Sequence, residues 1–351
     1  MKAVRATTTM RPAAAALGFA MMALTAPSAA ADSTATPDIG FAHLTSVGVH
    51  NTYDRSTFGY LTEALDAGAG LVELDIWPKT QAGQWLVGHL NPLANENNCT
   101  VAGTADELGR GVRDQDFSAC LDNIRLWLEQ NPNRDPLIIK VENKGGFGPG
   151  HGPAELDAAL REHLGDRVYR PAELLSGHPS LDAAARADGW PTRSAMRGRV
   201  VVELIPGVSP LDTMNPFRAT TSDIEYATHL ESLAQAGRIA DAQIFPAVLT
   251  AQTGDPRLRY ARPQLRDWFV FFDGDAANYV GGQADSAWYD RNHYLLTMTN
   301  AQQVTPTMSN RHPDLGQADD RARQLATAHA SVLTSDWVSP RLLGLVLPRG
   351  D

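Results

Sequence analysis

An apolar stretch of the sequence carries two acidic residues at a spacing suited to metal binding. Glu73 and Asp75 stand two positions apart in the run 71–76, which is otherwise apolar. In a β-strand, residues at that spacing project from the same face. Where that face is poorly solvated, two carboxylates cannot both ionise cheaply unless a cation joins them. The pair therefore indicates a metal site, although outward-facing acids matched by Arg or Lys would give the same pattern.

A second apolar run, residues 137–139, also ends in charged residues that share one face. Lys140 and Glu142 follow it at the same spacing of two. Viewed alone, this pattern fits a simple Lys–Glu ion pair at a strand end as well as it fits a functional site.

Asn51 adds a neutral oxygen to these acids. Together, Asn51, Glu73, Asp75 and Glu142 would form a ligand set made of oxygen alone. Hard oxygen ligands favour calcium or magnesium over zinc. We expect calcium, because its higher coordination number leaves room for water and a phosphate oxygen.

Two histidines are predicted to act beside this cluster. Of the ten histidines, His50 and His89 each end a predicted strand near the acids. The other eight, His43 and His178 among them, are interpreted as structural or surface residues. Cleavage of a phosphodiester requires charge stabilisation at phosphorus and a proton for the leaving alkoxide. Imidazolium can supply both near neutral pH.

The elements that must position these side chains are short apolar strands alternating with helical stretches. Such alternation implies parallel pairing through crossover connections, and eight strands predict closure into an α/β fold, a single-domain TIM-like (β/α)8 barrel. An open doubly wound sheet is the alternative, disfavoured because no Gly-rich phosphate loop follows a strand. The predicted strands cover 46–49, 71–76, 137–141, 200–204, 244–248, 269–272, 295–299 and 331–335.

Residues 85–89 resemble a further strand, but they follow the preceding one too closely to pair in parallel. Only a short turn over 79–84 separates the two, whereas a parallel crossover needs about a dozen residues. We expect this segment to be an excursion at the barrel rim.

The first 31 residues are typical of a secretory signal. Lys2, Arg5 and Arg11 precede an apolar run and a small-residue stretch ending near Asp32. The alternative, an uncleaved anchor, is disfavoured because the run is shorter than the ~20 apolar residues that span a bilayer. The sequence thus predicts a signal peptide over 1–31, a catalytic barrel over 32–351, and a secreted, extracellular protein.

The charge balance excludes some partners and favours a metal. Without the three basic residues of the signal, the 30 Lys and Arg fall to 27 against 40 Asp and Glu, a formal charge of −13. Such a surface argues against nucleic acid and against electrostatic docking on anionic membranes. An acidic protein acting on a phosphate ester would need a local cation. Cys99 and Cys120 are expected to form a disulfide, as is usual for a cysteine pair in an exported protein.

The motifs, taken in order, resemble those of phosphoinositide-specific phospholipases C, most of all the secreted bacterial calcium-dependent branch. His50-Asn51-Thr52-Tyr53 is similar to the signature that opens the catalytic barrel of that family. Glu73-x-Asp75, then His89 fourteen residues on, and Glu142-Asn143 after an apolar strand follow in the family's order. These motifs span residues 50–143. The C-terminal half matches the family only in its pattern of barrel strands, and Ser335-Asp336 follows the last predicted strand.

The resemblance implies a role for each matched residue. Asn51, Glu73, Asp75 and Glu142 would ligate calcium, and the inositol 2-hydroxyl would attack phosphorus. A ligating carboxylate, Glu73 by preference, would accept its proton. His50 would stabilise the transition state, and His89 would protonate the departing diacylglycerol oxygen. The expected substrate is phosphatidylinositol at a membrane or micelle surface, giving diacylglycerol and an inositol cyclic phosphate.

This chain also differs from the larger eukaryotic relatives. We expect no room in it for their accessory domains, and we therefore expect the barrel itself to meet the lipid surface. Phe58, Trp77 and Trp85 are candidates for that contact, although such residues belong more often to the core than to a lipid interface. Lys140 is the basic residue whose predicted direction suits a weak contact with the substrate.

Two other classes of function remain open at this stage. A glycerophosphodiester phosphodiesterase, or more distantly a sphingomyelinase-D-like enzyme, also combines a barrel, a Glu-x-Asp pair and a later histidine. Its first histidine is usually followed by Arg-Gly, where this chain has Asn51-Thr52. A non-catalytic calcium-stabilised barrel binding lipids or glycans would have no need for both His50 and His89.

Overall fold

The computed structural model describes Met1 and residues 38–89, 96–207, 220–250, 254–280 and 284–350. The described residues from Asp38 onward form one compact unit. The predicted signal over 1–31 lies outside the described residues apart from Met1, so this division of the chain stays a prediction. Among the helices within the described ranges, none is long and apolar enough to cross a membrane.

The central sheet closes into a barrel of eight parallel strands, which confirms the predicted fold class. These strands are β1 Leu44–Val49, β2 Leu71–Pro78, β4 Leu137–Asn143, β5 Val200–Pro206, β6 Ile244–Leu249, β7 Phe271–Asp275, β8 Leu295–Thr299 and β9 Val332–Ser335. Around the barrel they follow one another in chain order, and β9 pairs with β1 to close it.

Two short strands extend this sheet without entering the barrel. β3 (Trp85–Val87) pairs antiparallel with the end of β2, as expected for an excursion at the rim. β10 (Val346–Pro348) pairs antiparallel with the start of β1 and was not among the predicted strands.

The helices pack their apolar sides against the barrel. In α2, for example, Leu121, Ile124 and Leu128 are fully buried, and the helix ends before Asn131-Pro132, where proline prevents its continuation. The helices are α1 Leu61–Ala67, α2 Phe117–Gln130, α3 Pro153–Leu164, α4 Pro171–Leu175, α5 Leu181–Arg186, α6 Ser222–Gln235, α7 Ala276–Val280, α8 Ala287–Arg291, α9 Leu315–Thr327 and α10 Pro340–Leu343.

The strand register decides where the acidic residues point. β2 and β4 pair so that Asp75 lies beside Glu142 and Glu73 beside Lys140. Lys140 Nζ lies 2.8 Å from Asp273 Oδ2, and β7, which carries Asp273, is three strands away from β4 around the barrel. A side chain can make that contact only across the lumen. Because in-register neighbours on parallel strands share a face, all four side chains face inward.

Candidate active site

The acidic cluster lies at the carboxyl ends of the first barrel strands, where barrel enzymes place their chemistry. Glu73, Asp75 and Glu142 each offer an oxygen, and these oxygens all lie within 4.8 Å of one another. Glu73 and Asp75 are almost fully buried, and the Glu142 side chain is 13% exposed. Three carboxylates packed this closely in a poorly solvated place are the arrangement that a divalent cation stabilises.

Asp75 has one oxygen that is fully paired and one that is not. Its Oδ2 lies 3.0 Å from Tyr53 Oη, 3.1 Å from His89 Nδ1 and 3.2 Å from Lys144 Nζ. Its Oδ1 is buried and has no hydrogen-bond partner among the described residues. A buried acceptor without a donor is costly, and coordination to a cation would satisfy it. This orphaned oxygen fits the all-oxygen metal site expected from the sequence.

Asn51 reaches the cluster through an unusual backbone conformation. Its φ is +48°, in the left-handed region that asparagine tolerates better than most residues. This turn directly follows β1 and lets the Asn51 N–H donate to Glu73 Oε2 over 3.3 Å. Tyr53 Oη also lies 3.0 Å from Asn51 Oδ1, so one hydroxyl orients both the amide and Asp75. Turns occupy 50–57, and the first helix after β1 begins only at Leu61.

The two histidines flank the acids and are each held by a carboxylate. His50 Nδ1 lies 3.0 Å from Asp336 Oδ1, just beyond β9, and His89 Nδ1 lies 3.1 Å from Asp75 Oδ2. The side chain of His50 is 37% exposed and that of His89 is 42% exposed. A partner at Nδ1 fixes the ring orientation and leaves Nε2 available to a ligand.

Beside the cluster lies a group of buried charged residues that includes Asp273 and Glu203, neither of which was predicted from the sequence. Lys140 Nζ lies 3.3 Å from Glu73 Oε1 as well as 2.8 Å from Asp273 Oδ2. Across the lumen, Thr297 Oγ1 donates to Glu203 Oε2 over 3.0 Å. All four charged residues are at most 2% exposed. Lys140, expected to contact substrate weakly, therefore directs its charge at buried carboxylates.

These surroundings shift the pKa values of the acids in different directions. Burial opposes ionisation of Glu73, but the positive charges of Lys140 and His50 outweigh it and lower the Glu73 pKa. Burial and the negative charge of Asp75 raise the pKa of Glu142 to about 7. Burial and Asp273 likewise raise the pKa of Glu203 to about 8. The cluster thus lacks enough positive charge of its own to keep every acid ionised.

Lys144 is the nearest built-in counter-charge of the cluster. Its Nζ lies 2.7 Å from Glu142 Oε1 and 3.2 Å from Asp75 Oδ2, and the side chain is 5% exposed. Burial opposes its charge, yet Asp75 and Glu142 raise its pKa above the ordinary lysine value. Lys144 and Asp336 were not among the predicted site residues. Each directly follows a barrel strand, β4 and β9 respectively, and this position at a strand end is the signal in the sequence that could have identified both.

Comparison with known proteins places this geometry in a family. A model of the family described as phosphoinositide phospholipase C, Ca2+-dependent, matches residues 50–207. A calcium-dependent phosphatidylinositol-specific phospholipase C from Streptomyces antibioticus is 48% identical, with a TM-score of 0.84, covering 89% of this chain and 99% of that one. The chain belongs to the calcium-dependent phosphoinositide phospholipase C family. Its assignment to this family from sequence motifs is confirmed.

A more distant member shares the barrel. The calcium-dependent phosphoinositol-specific phospholipase C from a Gram-negative Pseudomonas species is 16% identical, with a TM-score of 0.63, covering 89% of this chain and 96% of that one. At that identity the likeness shows the fold alone. A search of curated proteins found no match.

Two further sequence expectations about this phospholipase C family member are settled by the structure. Cys99 and Cys120 form a disulfide, which ties the segment after His89 to α2. Phe58, Trp77 and Trp85 are 7%, 8% and 2% exposed, and they belong to the core. None of the three is available to a lipid surface in this conformation.

Proposed function

We propose that this protein cleaves phosphatidylinositol between phosphorus and the glycerol oxygen, using calcium held by Asn51, Glu73, Asp75 and Glu142. The observation that carries the proposal is the cluster of three inward-facing acids, with an orphaned Asp75 oxygen, flanked by two carboxylate-held histidines. The 48% identity to a phosphatidylinositol-specific enzyme supports the substrate class. When bound, calcium would supply positive charge to the phosphate and acidify a nearby hydroxyl.

The reaction proposed is an internal transfer at phosphorus. A hydroxyl adjacent to the phosphoester on the inositol ring attacks phosphorus and loses its proton to a carboxylate. The bond from phosphorus to the glycerol oxygen breaks, and that oxygen takes a proton. The products are diacylglycerol and an inositol cyclic phosphate, and no water is consumed in this step.

The two histidines suit the two requirements of this transfer, which are stabilisation of negative charge on the phosphoryl oxygens and protonation of the leaving oxygen. His50, paired with Asp336, can donate to the phosphoryl oxygens as negative charge develops there. Burial disfavours its charge, but Glu73 and Asp336 raise the His50 pKa to about 9, which favours the imidazolium that this role needs. His89 is the more exposed ring, and its Nε2, the nitrogen that Asp75 does not hold, suits protonation of the leaving oxygen at the lipid side.

The structure bears on which carboxylate accepts the proton. Glu73 was preferred from the resemblance, but its Oε1 contacts Lys140 and its Oε2 accepts from the Asn51 N–H. Glu142 is more exposed, at 13% against 2% for the Glu73 side chain. Glu142 Oε1 also contacts a lysine, Lys144 Nζ, over 2.7 Å, so the lysine contacts do not separate the two acids, and we favour Glu142 as the base on its greater exposure. Glu142→Gln should then lower kcat more than Glu73→Gln does at saturating calcium.

The decisive test is one assay of two substrates followed by phosphorus NMR. The full chain is incubated with phosphatidylinositol or glycerophosphoinositol, in calcium or in a chelator. We expect a cyclic phosphate from phosphatidylinositol in calcium alone. Release of glycerol with a linear phosphate would instead support a glycerophosphodiester phosphodiesterase, and activity in chelator would remove calcium from the mechanism.

Two variants separate metal binding from proton transfer. His89→Ala should lower kcat by 10²–10⁴-fold, typical of losing a general acid, while calcium still binds. Asp75→Ala should abolish calcium binding measured by calorimetry. Loss of both properties in both variants would indicate a folding defect, which circular dichroism would reveal.

Secretion belongs to the same proposal. The basic start and apolar run of 1–31 support a cleaved signal, leaving the barrel over 32–351 as the mature enzyme. N-terminal sequencing of protein recovered from culture medium should begin near Asp32. Recovery of the intact N-terminus from a membrane fraction would contradict this.

A further inference from the structure

A second constellation of metal-ligand type lies at the opposite end of the barrel. His43 directly precedes β1, His293 stands two residues before β8, and Asp188 follows α5. The proposed catalytic residues lie at the carboxyl ends of the strands, whereas His43 and His293 lie at the amino ends. This group is therefore remote from the chemistry in the fold, and the proposed function does not involve it.

The three side chains are close enough to share one ion. His43 Nε2 lies 3.1 Å from Asp188 Oδ1, and His293 Nδ1 lies 3.9 Å from the same oxygen. One ligand atom from each residue fits within a 4.8 Å limit for all pairs. Around a tetrahedral zinc ion with bonds of about 2.0–2.1 Å, ligand atoms stand about 3.3 Å apart. His293 Nδ1 also donates to Ala185 O over 3.1 Å, so this ring must turn away from that carbonyl before its Nδ1 can ligate an ion.

The backbone holds each of these residues in place. His293 and Asp188 both adopt left-handed conformations, with φ of +55° and +56°. The His293 carbonyl accepts from Trp190 Nε1 over 2.9 Å, and the Asp188 N–H donates to Ala185 O over 2.8 Å. The His43 carbonyl accepts from the Arg349 N–H over 3.0 Å. Three separate segments therefore present their side chains to one point from fixed positions.

The charge at this point is suited to a cation. Within the described ranges, the ion-pair partners of Asp188 are His43 and His293 alone, and histidine is a cation only when protonated. The three side chains are 36%, 49% and 23% exposed for His43, Asp188 and His293. An ion could therefore enter from solvent, and water could complete its coordination.

We propose that His43, Asp188 and His293 bind a borderline divalent transition metal of the zinc type. Two imidazole nitrogens and one carboxylate favour zinc over calcium, which takes oxygen ligands. The bound ion joins the segments that precede β1 and β8 to the segment after α5. It stabilises the amino end of the barrel. In TIM barrels generally, this end contributes to stability and not to catalysis.

The test is a titration of the full chain with zinc chloride in excess calcium, so that the proposed catalytic carboxylates are already occupied. Calorimetry should show one zinc per chain, and zinc should raise the melting temperature. His293→Ala and Asp188→Asn should each weaken binding at least tenfold, while the matched control His178→Ala should bind like the wild type. Phosphatidylinositol turnover should be the same in all four proteins.

A spectroscopic measurement tests whether His293 coordinates the metal directly or only supports the local structure. Cobalt(II) added in place of zinc should give visible d–d absorption, and this should disappear in His293→Ala. If either altered protein melts abnormally without metal, the other decides the outcome. Equal zinc affinity in the wild type, His293→Ala and Asp188→Asn would overturn the proposal, and so would the absence of stoichiometric binding to the wild type.

Discussion

Lys144 should compete with calcium for the acidic cluster, and its replacement gives the sharpest test of the site. Its ammonium group contacts both Glu142 and Asp75 and is almost fully buried. Lys144→Met keeps an unbranched apolar side chain of similar length and removes the charge. Without a metal, the variant should be destabilised by about 3–5 kcal/mol, because breaking a buried ion pair leaves uncompensated charge.

The same substitution should strengthen calcium binding. Unit charges about 4 Å apart interact by about 1 kcal/mol in water and about 4 kcal/mol at an effective dielectric constant of 20. The double charge of calcium doubles both figures, so even the water limit gives about 2 kcal/mol of repulsion. Since about 1.4 kcal/mol is a factor of ten in affinity, we expect the Kd for calcium to fall at least tenfold.

The assay combines calorimetric titration of calcium with thermal melts in chelator and in calcium. Lys144→Met should melt lower than the wild type in chelator and recover most of the difference in calcium. Lys79→Met is the matched control, since Lys79 Nζ forms a 2.8 Å ion pair with Asp116 in a partly exposed position outside the cluster. Unchanged or weaker calcium affinity in Lys144→Met would refute the assignment of these carboxylates as ligands.

Three further predictions follow from other parts of the molecule. Lys140→Met should lower the free energy of unfolding by about 3–5 kcal/mol in urea denaturation, because Glu73 and Asp273 lose their buried counter-charge; a change below 1 kcal/mol would contradict these buried ion pairs. Asp336→Ala should lower kcat at least tenfold with calcium affinity unchanged, because His50 loses the partner at Nδ1; an equal loss of calcium affinity would place Asp336 in the metal site instead. Reduction of Cys99–Cys120 should cost about 3 kcal/mol, as expected for a disulfide across 21 residues, and a melt unchanged by reductant would show that α2 holds this segment without it.

Sequence periodicity was sufficient to identify the barrel strands and the inward acids. In a strand, side chains two positions apart lie on the same face, so Glu73 and Asp75 share a face regardless of the tertiary structure. Buried parallel strands are recognisable in the sequence as short apolar runs. For the same reason, the eight barrel strands were located to within a few residues. The prediction was less accurate for β7, because the apolar Phe269 and Val270 precede the strand and were taken into it. The three-residue β10 offered too short a pattern to detect.

Only the tertiary structure decided which charges meet. Lys140 and Asp273 are 133 residues apart in the chain and meet because barrel closure brings β4 and β7 to face each other across one lumen. His43, Asp188 and His293 come together in the same way at the other end. Local sequence sets the face on which a side chain lies, but closure and register set its partners, because they bring together residues that are far apart in the chain.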